Sequence, residues 1–248
     1  MSRPRVLVVR SGANPFLAAA GSEILDVVEK VSHTIEGTDP PAGAFAGPAH
    51  LAVFTSQVAV DRVAADERLT SLFTRAISGG KVAAVGTATA EALRGYGIEP
   101  TLVAAGSGEA ILRRLPNRLD GWRVLLPCAE DATEDLPEGL RLRGAHVERA
   151  VVYRKVPRPR DADLDREIIE LPFAAFCATS PSAARWLFGD LDHAAAARLR
   201  RTPAVALGQS TRHALEALGV ESVAVTGEPL FSSALSLLER LATEPGPT

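Results

Sequence analysis

Short apolar runs alternate along this chain with stretches whose apolar residues recur at helical spacing. The runs fall at residues 4–10, 27–35, 51–54, 82–85, 101–104, 123–127, 147–153, 173–178, 203–207 and 222–226. Each is rich in Val, Leu or Ala, and most are closed by Gly, Pro, Ser or Thr, the punctuation of a strand. Helical patterns separate most of them, as in "QVAVDRVAA" after the run at 51–54 and "HALEALG" after the run at 203–207. Strands that alternate with helical patterns predict an α/β protein with parallel sheets.

The pattern repeats. "AVGTATAEALRGYGI" (Ala84 to Ile98) and "ALGQSTRHALEALGV" (Ala206 to Val220) share six of fifteen residues at a constant offset of 122. "LAVFTSQVAVDRV" parallels "AAFCATSPSAARWL", with Thr55-Ser56 matching Thr179-Ser180 at an offset of 124. Upstream, "RVLVVR" is echoed by "RVLLPC". The unit is a chain of βα steps used twice.

Two Pro/Gly-rich segments interrupt it, "EGTDPPAGAFAGP" and "KVPRPR", and both read as extended crossings. They predict an inserted middle domain at 49–153 and an outer domain built from both termini, 1–36 and 161–248. The crossings at 37–48 and 154–160 would then form a hinge beside a ligand-binding cleft.

Candidate chemistry gathers where strands meet helices: "TSQ", "VGTAT", "GSGEA", "TSPSA" and "LGQST". Parallel sheets place ligand sites at the carboxyl ends of strands, where helix N-termini open. Thr55, Ser56, Gly86, Thr87, Thr89, Ser107, Ser180, Ser182, Gly208, Ser210 and Thr211 would supply hydroxyls and free N–H groups suited to carboxylates or phosphates. Taken singly, each is as well explained as a helix cap. Ser180 before Pro181 has the form of an N-cap followed by a first-turn proline.

Composition narrows the classes. Of 248 residues, 46% are apolar and 23% charged, and the formal net charge of −3 argues against nucleic acid as a partner. No apolar stretch reaches the ~18 residues of a bilayer span, and "MSRPRVLVVR" reads as a first strand rather than a signal peptide. A cytoplasmic protein is expected. Cys128 and Cys177 stand alone in apolar runs and read as buried thiols. His33, His50, His146, His193 and His213 show no metal-ligand spacing.

Several motifs are missing: GxGxxG after the first strand, GxxxxGK[ST] and GxSxG. "CAEDATEDLPEG" is acidic, but it opens a helical pattern, where negative charge suits the helix dipole, so a solvated helix start is expected. The residues alone describe a cofactor-free, two-domain α/β protein with an anion-friendly cleft.

The ordered series "VFTSQVAV", "AVGTATAEALRGYGI", "VERAVVYRKVP", "CATSPSAARWL" and "ALGQSTRHALEALGV" resembles the uroporphyrinogen-III synthase family over about the last four-fifths of the chain. The resemblance implies two flavodoxin-like parallel-sheet domains joined by a two-stranded hinge, the first domain discontinuous. It implies a cofactor-free, monomeric enzyme that closes the linear tetrapyrrole hydroxymethylbilane, inverts its last pyrrole ring and loses water. Tyr153, in "VVYRK", matches the family's Tyr as candidate acid for the departing hydroxyl. Thr89 and Thr211 match the family's Thr in "GxxT". Arg10 matches a family Arg able to pair with a propionate.

Three segments depart from the family pattern. Residues 11–24 leave room for only about two helical turns after Arg10. The segment 128–135 is acidic where relatives are often basic or glycine-rich, and Leu230-Phe231 replaces a Pro-Thr within 228–235. The first two departures favour a second reading, a non-catalytic relative that holds an anionic metabolite and signals to a partner. Retention of Tyr153, Thr89 and Thr211 favours the enzyme.

Overall fold

The computed structural model describes residues 3–12, 22–41, 43–104, 107–227 and 230–243. All ten expected runs form strands: β1 (Arg5–Ser11), β2 (Asp26–Gly37), β3 (Leu51–Phe54), β4 (Lys81–Val85), β5 (Leu102–Ala104), β6 (Arg123–Ala129), β7 (His146–Pro157), β8 (Ala175–Ala178), β9 (Ala204–Ala206) and β10 (Val223–Val225). The chain divides into two compact units, Met1–Ile35 with Val156–Thr248, and Glu36–Lys155.

In the first unit the strands lie in the order β2-β1-β8-β9-β10, and every neighbouring pair is parallel. Numbered along the chain within the unit, this is the order 2-1-3-4-5 of the flavodoxin-like sheet. Helices α6 (Leu164–Glu170), α7 (Pro181–Gly189), α8 (His193–Arg201), α9 (Gln209–Ala217) and α10 (Phe231–Thr243) belong to this unit. The two-residue period of β1 sorts its side chains between the faces. Leu7 and Val9 pack with Leu164, Ile168, Leu187, Leu199 and Leu215. Val6 and Val8 join Cys177, Val205 and the α10 residues Ala234 and Leu238 on the other face. All four β1 residues are fully buried, which is why the run reads as unbroken "VLVV".

The second unit holds α1 (Gln57–Ala65), α2 (Glu67–Ala76), α3 (Thr87–Gly95), α4 (Gly108–Arg114) and α5 (Asp135–Leu142). Its strands run β5-β4-β3-β6-β7, again parallel throughout. Counted within the unit this is 3-2-1-4-5, the dinucleotide-fold order rather than the flavodoxin order. The cause is which neighbour β3 takes: its next strand along the chain lies on one side and β6 on the other. Leu51, Val53, Val124 and Leu126 bury one face against Ile111, Leu136 and Leu140. Phe54 points the other way and meets Phe73 of α2 edge-on, ring centres 5.3 Å apart.

The unit boundaries, at 35/36 and 155/156, fall inside β2 and β7, the first at the start of the segment 36–48 and the second within the segment 155–160. Beyond Gly37 the chain is already packed in the second unit. Thr38 N–H donates to the Val152 carbonyl at 3.1 Å, and Ala44 and Phe45 are each only 5% exposed. Ala44 and Phe45 within the segment find burial that its Pro and Gly content does not foretell. The short helix expected after Arg10 falls on 13–21, outside the described residues, as do 228 and 229.

Cys128 and Cys177 are free and buried. Burial raises the Cys128 thiol and pushes Cys177 up to about 12, so both stay protonated and inert near neutrality. Among the described residues no helix is long and apolar enough to cross a membrane.

Candidate functional site

Because each sheet is parallel, its strand ends and helix N-termini share one edge. In the second unit the connections diverge between β3 and β6, the switch point where open α/β sheets bind ligands. The residues just past β3 are Thr55, exposed, and Ser56, half-buried. Ser56 is the N-cap of α1, its Oγ accepting from Val58 N at 3.1 Å. Ser107, exposed, caps α4 by accepting from Ala110 N at 3.4 Å.

Tyr153 on β7 reaches this switch point. Its phenol donates to Ser56 Oγ at 3.2 Å, although the two lie 97 residues apart in sequence. The residue is only 4% exposed. Burial, first, lifts its pKa above the ordinary tyrosine value, and the nearby Asp131 and Cys128 add to this. The Ser56 hydrogen bond opposes. The phenol is therefore neutral at physiological pH and holds a proton to give.

Two helices begin at a glycine that offers no side-chain cap. Gly86 begins α3 at φ +83° and ψ 154°, a conformation open in practice only to glycine, and no side chain caps the helix. Gly208 begins α9 in extended backbone, also without a side-chain cap. Thr89 and Thr211 occupy the third helical position of these helices and are buried, at 4% and 3% exposure. Neither side chain caps its helix. Thr87 and Ser210 flank them on exposed positions.

The acidic segment after β6 opens α5 as expected, with Asp135 and Glu138 in its first turn and most of its carboxylates exposed, but it is also held by ion pairs. Asp131 pairs with Lys155 at 3.1 Å, and Glu134 pairs with Arg141 at 3.1 Å and with Arg149. Glu130 N–H donates to the Tyr153 carbonyl at 2.9 Å. The loop is tied to β7, and that is what brings Asp131 beside the phenol.

In the first unit the switch point lies between β1 and β8, and hydroxyls meet there too. Ser180 caps α7, accepting from Ala183 N at 3.1 Å. Its Oγ lies 3.0 Å from Ser182 Oγ and 3.4 Å from Ser11 Oγ. Ser11 in turn is 3.3 Å from Ser32 Oγ, which donates to the Arg10 carbonyl and contacts His33 Nδ1 at 2.8 Å. Ser11, Ser32 and His33 carry no motif; a register shift between Arg10 and Ser11 sets Ser11 opposite His33 and gathers them. Arg10, 9% exposed, gives its guanidinium to Glu29 and to the Gly12 carbonyl. A buried cation requires such partners, so a substrate carboxylate would have to displace Glu29.

A family model described as uroporphyrinogen-III synthase HemD matches residues 27–236. The chain belongs to the uroporphyrinogen-III synthase family. A Methanothermobacter thermautotrophicus protein, named provisionally as a uroporphyrinogen-III synthase, is 31% identical over 183 residues, covering 70% of this chain and 71% of its own. The fold is similar to that of a mutant uroporphyrinogen III synthase from Thermus thermophilus, at TM-score 0.66 and 21% identity, over 95% of this chain and 98% of that one. It is also similar to the Helicobacter pylori uroporphyrinogen-III synthetase, at TM-score 0.59 and 18% identity, over 97% and 100%.

Within this uroporphyrinogen-III synthase family chain, the residues brought together in the second unit are Tyr153 and Ser56. Those brought together in the first are Ser180 and Ser182, with the unforeseen Ser11, Ser32 and His33. Among the described residues no His, Cys, Asp and Glu side chains cluster as metal ligands would.

Proposed function

We infer that this protein is a uroporphyrinogen-III synthase: it closes hydroxymethylbilane to uroporphyrinogen III, inverting the last pyrrole ring and releasing water. One observation carries the chemistry within the family assignment, the buried, protonated Tyr153 phenol held at the switch point of the second unit. The leaving hydroxyl must gain a proton to depart as water, and ring closure later releases one from the attacking carbon. The reaction is redox-neutral, so a proton donor and control of orientation suffice, and no cofactor is required.

The glycine starts of α3 and α9, with Thr87, Thr89, Ser210 and Thr211, suit the substrate's carboxylates, as do the N-termini capped by Ser56, Ser107 and Ser180. Thr55, Ser182 and Arg10 complete the proposed substrate contacts. The functional division we propose is an outer domain of 1–36 and 161–248 and an inserted domain of 49–153, with 37–48 and 154–160 as hinge crossings. The enzyme acts as a cytoplasmic monomer.

The test is direct. Freshly made hydroxymethylbilane is added and the product isomers are resolved. Type III formed faster than spontaneous closure is the expected result; type I alone at the uncatalysed rate would sink the reading.

A further inference from the structure

We propose that Ser56 is a catalytic residue, the one through which the Tyr153 proton leaves the protein. The proposal rests on the reading of Tyr153 as the proton source given above.

The argument begins with hydrogen-bond valence. A serine hydroxyl has one proton and two lone pairs. Both lone pairs of Ser56 are used: Val58 N–H donates at 3.1 Å and the Tyr153 phenol at 3.2 Å. The proton of Ser56 has no acceptor among the described residues. The phenol has one proton, and it points at Ser56. Tyr153 cannot hand that proton directly to a substrate without breaking the bond that holds it.

Burial agrees with this accounting. Tyr153 is 4% exposed, whereas Ser56 is half-buried at the carboxyl end of β3. The accessible hydroxyl of the pair is the serine. It also sits at the start of α1, where the helix dipole favours negative charge building on its oxygen during transfer.

The step balances as follows. The substrate C–O bond breaks and its oxygen takes the Ser56 proton, leaving as water. Ser56 Oγ takes the Tyr153 proton in the same motion, so charge passes to the phenol oxygen. The proton released by the attacking pyrrole carbon on ring closure returns along the same path, and both hydroxyls are restored.

Four variants separate this relay from its rivals. Glycine serves as an N-cap at little cost, so Ser56→Gly removes the hydroxyl while the melting temperature stays near that of the parent. Ser56→Thr keeps both hydroxyl and cap. The relay requires that Ser56→Gly lower kcat to the level of Tyr153→Phe, about 10²-fold. It also requires that the double variant lose nothing more, and that Ser56→Thr retain most of the parent rate. The proton inventory in mixed H2O and D2O should be curved for the parent, as two protons in flight demand. Parental or faster turnover in Ser56→Gly overturns the relay and leaves Tyr153 as a direct donor. An equal loss from Ser56→Gly with and without the phenol also overturns it, since Ser56 then acts on its own. Parental turnover in Tyr153→Phe removes the proton source, and the relay with it.

Discussion

Tyr153 is a residue whose chemistry is set by its surroundings more than by its type. Burial, with Asp131 and Cys128 near by, holds the phenol above its ordinary range. Tyr153→Phe should cut kcat about 10²-fold while the remaining product stays type III, because one lost acid removes rate but not orientation. The check is turnover with isomer analysis. Cys177 offers a second test, of stability alone. Its folded pKa is raised to about 12 from 9.0, so its contribution is complete below the unfolded value and is lost as pH rises toward the folded one. Unfolding free energy should therefore fall between about pH 9 and 12. Cys177→Ala should make that slope shallower by one proton, measured by denaturant titration at several pH values.

At the scale of elements, the repeated "GxxT" turn serves two different backbones. Gly86 stands at φ +83°, Gly208 at φ −178°, and a Cβ on either would meet no atom within 4 Å. Conformation alone distinguishes them. Gly86→Ala should lower stability by about 1–3 kcal/mol, the cost of forcing an L-residue into that region, while Gly208→Ala should stay within about 0.5 kcal/mol of the parent. Equal denaturant midpoints for the two variants would contradict this. Thr89 and Thr211 follow each glycine at the third helical position without capping. Their alanine variants should weaken substrate binding while leaving the fold near intact, read as raised KM with an unchanged melting temperature.

For the whole molecule, the two units differ in continuity. Glu36–Lys155 is one uninterrupted segment with its own parallel sheet and core, whereas the first unit is assembled from both chain ends. A protein of residues 36–155 should therefore fold alone with a cooperative melt, and Met1–Ile35 should not. Circular dichroism and amide dispersion in NMR spectra decide it; a molten 36–155 fragment would show that the segment depends on the remainder of the chain.

Much of this architecture is written locally. The central strands were legible because each is buried on both faces and reads as an unbroken apolar run, as in "VLVV" of β1 and "LAVF" of β3, whereas β2 and β7, half-buried and carrying charges, showed only as Val-rich segments. The caps Ser56, Ser107 and Ser180 were legible because a cap bonds within three residues of itself. Strand order was not: parallel pairing joins residues far apart, and nothing in the periodicity of 51–54 and 123–127 makes β3 and β6 neighbours. The pairing of Tyr153 with Ser56 across 97 residues follows from that order alone. So do the gathering of Ser11, Ser32 and His33, the seating of Arg10 on Glu29, and the tying of the acidic loop to β7. Short-range hydrogen bonding and hydrophobic period are properties of the chain as written; the proton-holding site is a property of which strands lie side by side.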